Sequence, residues 1–179
     1  MSEEVEVVSA SSDAAFAAFY EAHRPGVVGT VYALTGDWAR AEDLAQDVFV
    51  SAHRHWARLQ SHPRPDLWVR RAAINRSTSL FRRRRTEQHA LARTAARAEA
   101  TAGHSTTSAD ADGELAWLLG HIRRLPRQQA HALVLVHVEQ LTNPEAAQVL
   151  RCSESTLRTH LQRGRTALRT LIEEDRDHA

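Results

Sequence analysis

Arginine, glutamine and small hydroxyls recur through Ser153–Arg169 at a spacing that gathers them on one side of a helix. Leu157, Leu161, Leu168 and Leu171 return at helical intervals and define the inner face. The outer face then carries Ser155, Thr156, Arg158, Thr159, Gln162, Arg163 and Arg165. Arginine forks onto guanine, glutamine pairs with adenine, and small hydroxyls fit beside phosphates, so this face has the chemistry of duplex DNA recognition. The bland alternative is a solvated face on a helical hairpin.

A second chemical set lies in Asp66–Arg85. Arg70, Arg71, Arg76, Arg82, Arg83, Arg84 and Arg85 stand there against the single Asp66. Like charges on one helix repel, and a polyanion relieves that repulsion while releasing its counterions. Trp68 and Phe81 interleave with the arginines, a mixture suited to single-stranded DNA, whose bases stack on aromatic and guanidinium planes. The alternative makes Trp68 a core residue and the arginine run a loose helix end. A third set is acidic: Glu42, Asp43 and Asp47, with Gln46 among them. No nucleophile or metal-binding set accompanies these carboxylates, which argues against acid–base catalysis. The eleven histidines show no ligand spacing. His53 and His55 point to different faces of a helix, and His131 and His137 do not align. No metal and no cofactor is expected.

These sets need elements to hold them. Asn143 is placed to cap a short helix, about Pro144–Leu150, with Pro144 at its first position. Ser153 caps the longer helix after it, and Glu154 suits the positive end of its dipole. Short helix, turn and arginine-faced helix together make a helix-turn-helix plan. Its turn offers Arg151-Cys152, where a glycine is common. Nearer the amino terminus, Phe16, Phe19, Tyr20, His23, Val27, Val31 and Leu34 trace a helical stripe. Ser12 or Asp13 caps it, residues 1–12 precede it as a tail, and Pro25 kinks or divides it. Gly36 and Asp37 end that helix and cap the next, about Trp38–Leu59. Pro63 and Pro65 confine Gln60–Pro65 to a loop, and a third helix follows over Asp66–Arg85. Residues 86–112 turn to Ala, Thr and Ser and read as a linker, its first part, about Glu87–Ala100, open to helix through alanine. Beyond it, Leu115, Leu118, Leu119, Ile122 and Leu125 form a helix, Pro126 starts another, and Leu133, Val134, Val136 and Leu141 extend the carboxy-terminal core.

Composition agrees with this plan. The 179 residues hold 42% hydrophobic and 6% aromatic side chains with few Gly and Pro, which favours an all-α protein. Net charge is only +1, so the clustering of the 23 basic residues, all of them Arg, is what signals nucleic acid. The lone Cys152 fits a reducing compartment. The acidic, polar start is unlike a signal peptide, and no apolar run reaches the ~18 residues of a membrane span. A soluble, cytoplasmic protein without membrane insertion is expected.

The motifs carry a resemblance. GDWARAEDLAQDVFVSAHRHW resembles the polymerase-binding segment of the extracytoplasmic-function (ECF) class of bacterial sigma factors. WVRRAAINRSTSLFRRRR is similar to the helix that opens the promoter's minus-10 element, and LRCSESTLRTHLQRGRTALR to the minus-35 recognition helix, with LPRQQAHALVLVHVEQLTNPEAA as its scaffold. The resemblance implies two small helical domains joined by a flexible linker: a region 2-like domain at 13–85, a linker at 86–112, and a region 4-like helix-turn-helix domain at 113–174. It implies that Glu42, Asp43, Leu44, Gln46, Asp47 and Phe49 dock on core RNA polymerase. Single-stranded minus-10 DNA falls to Arg64, Trp68, Arg70, Arg71 and Asn75, with Asn75 in the pocket for a flipped base. Duplex minus-35 DNA falls to Ser155, Thr156, Arg158, Thr159, Gln162 and Arg163. The expected function is a sigma factor, a specificity subunit without a catalytic site, controlled by a separate anti-sigma protein. Two other classes compete. A freestanding helix-turn-helix regulator leaves the acidic surface and the Trp/Arg helix without a role, and a nuclease needs a carboxylate set near the arginine helix.

Overall fold

Every element among the described residues is helical, and several of the helices start or stop where local chemistry provides a cap. The structure is a computed structural model. It describes the backbone of residues 2–94 and 110–177 and the side chains of 12–79 and 113–177. Helix α1 (Ser2–Thr35) starts ahead of the expected cap at Ser12 or Asp13, so from Ser2 onward the expected tail is helical backbone. It also runs through Pro25 undivided. Burial of Val27, Val28, Val31, Ala33 and Leu34 just beyond the proline holds the helix together, since each large aliphatic side chain contributes about 1.5–3 kcal/mol. The chain then leaves α1 at Gly36, whose φ of 74° is open to glycine at little cost. Asp37 Oδ1 accepts from the Arg40 N–H at 3.0 Å and starts α2 (Trp38–Arg54), as the sequence indicates.

Helix α2 buries Ala41, Leu44, Ala45, Val48, Phe49 and Ala52. It ends earlier than the expected Leu59. His55 breaks the helix with its Nδ1 2.7 Å from the Ser51 carbonyl, and the separate turn α3 (Trp56–Leu59) follows. Helix α4 (Pro65–Thr94) places Pro65 at its first position, where the missing N–H costs nothing. It continues past the expected end at Arg85, so the first residues of the expected 86–112 linker belong to this helix. Residues 95–109 lie outside the described residues, as do the side chains of Leu80, Phe81 and Arg82–Arg85.

The carboxy-terminal helices are α5 (Asp110–Arg124), α6 (Arg127–Leu133), α7 (Asn143–Leu150) and α8 (Glu154–Asp177). Between α6 and α7 the helix widens over Val134–Val138, where the Glu139 N–H reaches the Val134 carbonyl at 3.0 Å. Leu115, expected in the core, is 51% exposed. The cap of α7 is Thr142 rather than Asn143: Glu145 reaches back to the Thr142 N–H at 2.8 Å and its hydroxyl at 2.7 Å, the acidic half of a capping box.

Two clusters of buried side chains organise these helices. One joins α1 to α4 through Val27, Val31, Leu44, Val48, Phe49, Trp56 and Val69. The other gathers Leu119, Ile122, Leu133, Leu135, Val149, Leu157 and Leu161 from α5 to α8, and it also takes Ala33, Leu34, Leu67 and Ile74 from α1 and α4. The two ends of the chain therefore share part of one core.

Candidate nucleic-acid interface

Helix α8 is aimed by a turn that sequence only half announces. Arg151 occupies the left-handed region at φ 53°, ψ 48°, where glycine is usual. The Cys152 N–H returns to the Ala147 carbonyl at 3.1 Å and closes the turn. Ser153 Oγ then accepts from the Thr156 N–H at 3.1 Å, the expected cap. Leu157 and Leu161 face inward and are buried, while Leu168 and Leu171 pack on the same core half-buried. Ser155, Thr156, Arg158, Thr159, Gln162 and Arg163 are all exposed. Arg158 is held loosely by Glu154 at 3.0 Å, one turn earlier. Such an exposed i,i+4 pair stabilises by only about 0.3–0.5 kcal/mol, so a base edge can take Arg158 at small cost.

The acidic set lies on α2 with two kinds of side chain. Asp43, Gln46 and Asp47 are exposed, whereas Leu44 and Phe49 are buried beneath them. Glu42 is half-buried and accepts from Arg24 at 3.1 Å. Beside them runs a shallow apolar groove of about 370 Å³ lined by Phe16, Tyr20, Gln46, Phe49, Val50, His53 and Arg54. Leu44 and Phe49 support this surface from below.

The five α4-side residues are gathered in a different setting. Trp68 packs half-buried against the α1–α4 core. Arg64 donates to Asp66 at 3.0 and 2.8 Å and pairs with Glu145 at 2.6 Å. Those hydrogen bonds raise the Arg64 pKa further. The Asp66 carboxyl lies below its ordinary range chiefly because Arg64 donates to it. Glu145 is lowered first by the Thr142 hydroxyl and backbone N–H, then by Arg64. Arg70 Nε meets Glu139 Oε2 at 2.9 Å. Arg71 and Asn75 line a polar cavity of about 180 Å³ together with Arg127, Gln128, His131 and Arg151 of the carboxy-terminal helices. Glu139, Glu145 and Arg127 were not among the residues singled out from sequence, and Arg151 only as part of the turn. Of the first three, Glu145 left a local signal, as the acid three residues after Thr142.

Among the described residues no group of three or more His, Cys, Asp or Glu could hold a metal ion. No described helix is long and apolar enough to cross a membrane.

Comparison with known proteins agrees with this arrangement. The Sigma-70 region 2 model matches residues 19–87, and the Sigma-70, region 4 model matches residues 115–168. ECF RNA polymerase sigma factor SigW of Bacillus subtilis is 25% identical over 164 residues, covering 87% of this chain and 87% of that protein. The RNA polymerase sigma-E factor of Streptomyces avermitilis is 29% identical over 140 residues, 78% of this chain and 75% of that protein. In fold, the chain is similar to the sigma factor RpoE solved with the anti-sigma factor NepR from Bartonella quintana. The TM-score is 0.70 at 20% identity, over 88% of this chain and 96% of that one. It is also similar to CnrH solved with the cytosolic domain of CnrY, with a TM-score of 0.67 at 21% identity, over 94% and 97% of the two chains. An amino-terminal region 2, a carboxy-terminal region 4 and an all-helical fold between curated relatives of matching length leave one assignment: the chain belongs to the sigma-70 family of transcription-initiation factors, in its extracytoplasmic-function class.

Proposed function

We propose that this protein binds core RNA polymerase and directs initiation by reading duplex minus-35 DNA with α8 and holding the melted minus-10 strand on the first turns of α4. The reading keeps the two domains at 13–85 and 113–174, with the polymerase surface on α2. It assigns the chain no catalysis of its own and a place in the cytoplasm. An anti-sigma protein is its proposed regulator, by analogy with RpoE in its complex with the anti-sigma factor NepR. The observation that carries the reading is the exposed polar face of α8 over a buried leucine face.

Arg158 and Arg163 separate base reading from phosphate binding on that helix. Five residues turn a helix through about 500°, so their side chains diverge by about 140°. Arg158 lies nearer the helix start, the end that enters the major groove. Arg158→Ala is expected to cost about 1–3 kcal/mol and relax preference at one or two minus-35 positions. Arg163→Ala should weaken all sequences alike and lower the salt dependence. Selection on randomised minus-35 duplexes with each mutant holoenzyme reads this out. A changed motif with Arg163→Ala and an unchanged one with Arg158→Ala would reverse the two roles.

Asn75→Ala tests the minus-10 assignment. The holoenzyme should assemble normally but form fewer open complexes. A pre-melted template should restore part of the loss, because the unstacking cost of a few kcal/mol is then already met. Matching permanganate footprints from mutant and parent rule the role out.

A further inference from the structure

Three arginines from distant parts of the sequence border one small cavity. Arg71 comes from α4, Arg127 from the start of α6, and Arg151 from the turn before α8. Arg71 and Asn75 lie one turn apart on α4, and Arg127 and His131 lie one turn apart on α6, so each helix offers one face to the same space. Gln128 adds an amide. No described Asp or Glu lines the cavity, and cations gathered without a counter-charge repel one another. Arg151 sits at φ 53°, a conformation that costs energy for any residue larger than glycine. The turn thus carries a strained residue where glycine is usual, and that residue brings its side chain to the cavity. His131 is 6% exposed, and burial keeps its imidazole neutral at pH 7. It therefore offers a ring N–H to the cavity without adding a fourth charge.

We propose that this cavity is a binding site for a diphosphate group, held by Arg71, Arg127 and Arg151. The planar guanidinium fork takes two phosphate oxygens at a time, and two linked phosphoryl groups carry enough oxygens for three such forks. The volume of about 180 Å³ is smaller than the roughly 300–1,000 Å³ of sites that enclose a drug-sized ligand. The site therefore takes the diphosphate and leaves any attached nucleoside outside. The inference goes beyond the promoter-binding reading, in which Arg127 and Arg151 have no part. Because the ligand touches only the folded arrangement of α4, α6 and the turn, its binding stabilises the folded chain.

The test uses the full-length chain at physiological salt, where diffuse surface charge is screened over about 8 Å. Pyrophosphate, ADP and adenosine are titrated calorimetrically, and a thermal melt is recorded with each. The variants are Arg127→Gln, Arg151→Gly and the two combined. Glycine suits the left-handed turn, so Arg151→Gly removes the charge and keeps the backbone. A charge-matched control, Arg58→Gln with Arg169→Gln, alters two exposed arginines that do not line the cavity. The parent should bind one pyrophosphate per chain and melt at a higher temperature with it. Each single variant should weaken binding about ten-fold and the pair about a hundred-fold, while the control stays near the parent. ADP should bind and adenosine should not, which marks the diphosphate as the recognised group whether it arrives free or on a nucleoside. No saturable binding of pyrophosphate or ADP by the parent overturns the proposal. Equal weakening in the control makes the effect one of net charge and overturns it as well. Undiminished binding in both single variants puts the anion elsewhere, and adenosine binding as tightly as ADP makes the nucleoside the ligand; either result overturns the site.

Discussion

Replacing Asp43 and Asp47 together by arginine is expected to weaken binding to core RNA polymerase about 30-fold or more while leaving the helical fold in place. Both carboxylates are exposed on α2 one turn apart. The neighbouring acid Glu42 is tied to Arg24 at 3.1 Å, so Asp43 and Asp47 are the charges free to meet a partner. The side chains that hold α2 in place, Leu44, Ala45, Val48 and Phe49, point the other way into the core. Charge reversal therefore leaves the packing untouched. Truncating one member of a desolvated charge pair at an interface costs about 2–5 kcal/mol, and reversal adds repulsion. The shallow apolar groove beside them is not lined by either aspartate, so the substitution leaves it unaltered. A fluorescence titration of core polymerase at two salt concentrations, beside a thermal melt of the free chain, measures both halves of the claim. Unchanged affinity with an unchanged melt removes α2 from the polymerase interface.

Acidification should reveal a second large effect, centred on His131. It is 6% exposed on α6, and burial, assisted by the nearby Arg127, pushes its pKa down to about 4. The unfolded chain protonates the same imidazole near the ordinary value of 6.5. Between those values the unfolded state binds more protons, so stability is highest above 6.5 and falls as the pH drops toward 4. The lost stability approaches about 3 kcal/mol, since one pKa unit corresponds to about 1.4 kcal/mol. Asp66 and Glu145 add losses of the same sign at lower pH, because both are held below their ordinary values in the folded chain. Urea unfolding of the parent and of His131→Leu at pH 7 and pH 4.5 isolates the histidine. The parent should lose clearly more stability than the variant, and parallel losses would show that His131 is not the titrating group.

How much of this was legible beforehand depended on whether the cause was local. Asp37, Gly36 and Ser153 act on backbone within a few residues, and each is found in its expected role. The leucine spacing in α8 likewise fixes which of its faces is exposed. Thr142 went unseen as a cap because Asn143 and Pro144 offered a competing local pattern, and only the reach of Glu145 decides between them. Pro25 does not divide α1, because the buried valines after it outweigh one missing hydrogen bond. Arg151 adopts a left-handed turn through the closing bond from Cys152. Leu67 and Ile74 sit on α4 with ordinary helical spacing, and nothing near them in sequence states that their partners lie in α5–α8. The pairs Arg70–Glu139 and Arg64–Glu145 are hidden for the same reason. The arginines of α4 are thus legible in the sequence as a basic set, while the carboxylates that pair with Arg64 and Arg70 are visible only in the folded chain.

The central claim is that this chain gives RNA polymerase its choice of promoter, and run-off transcription with core polymerase on a promoter library tests it most directly. The account predicts that adding the protein selects transcripts whose templates share a minus-35 and a minus-10 element. It further predicts that Arg158→Ala relaxes the minus-35 element and that Asp43→Arg with Asp47→Arg abolishes the output. A library transcribed identically with and without the protein, while the protein alone binds duplex DNA tightly, would contradict the account and favour a freestanding helix-turn-helix regulator.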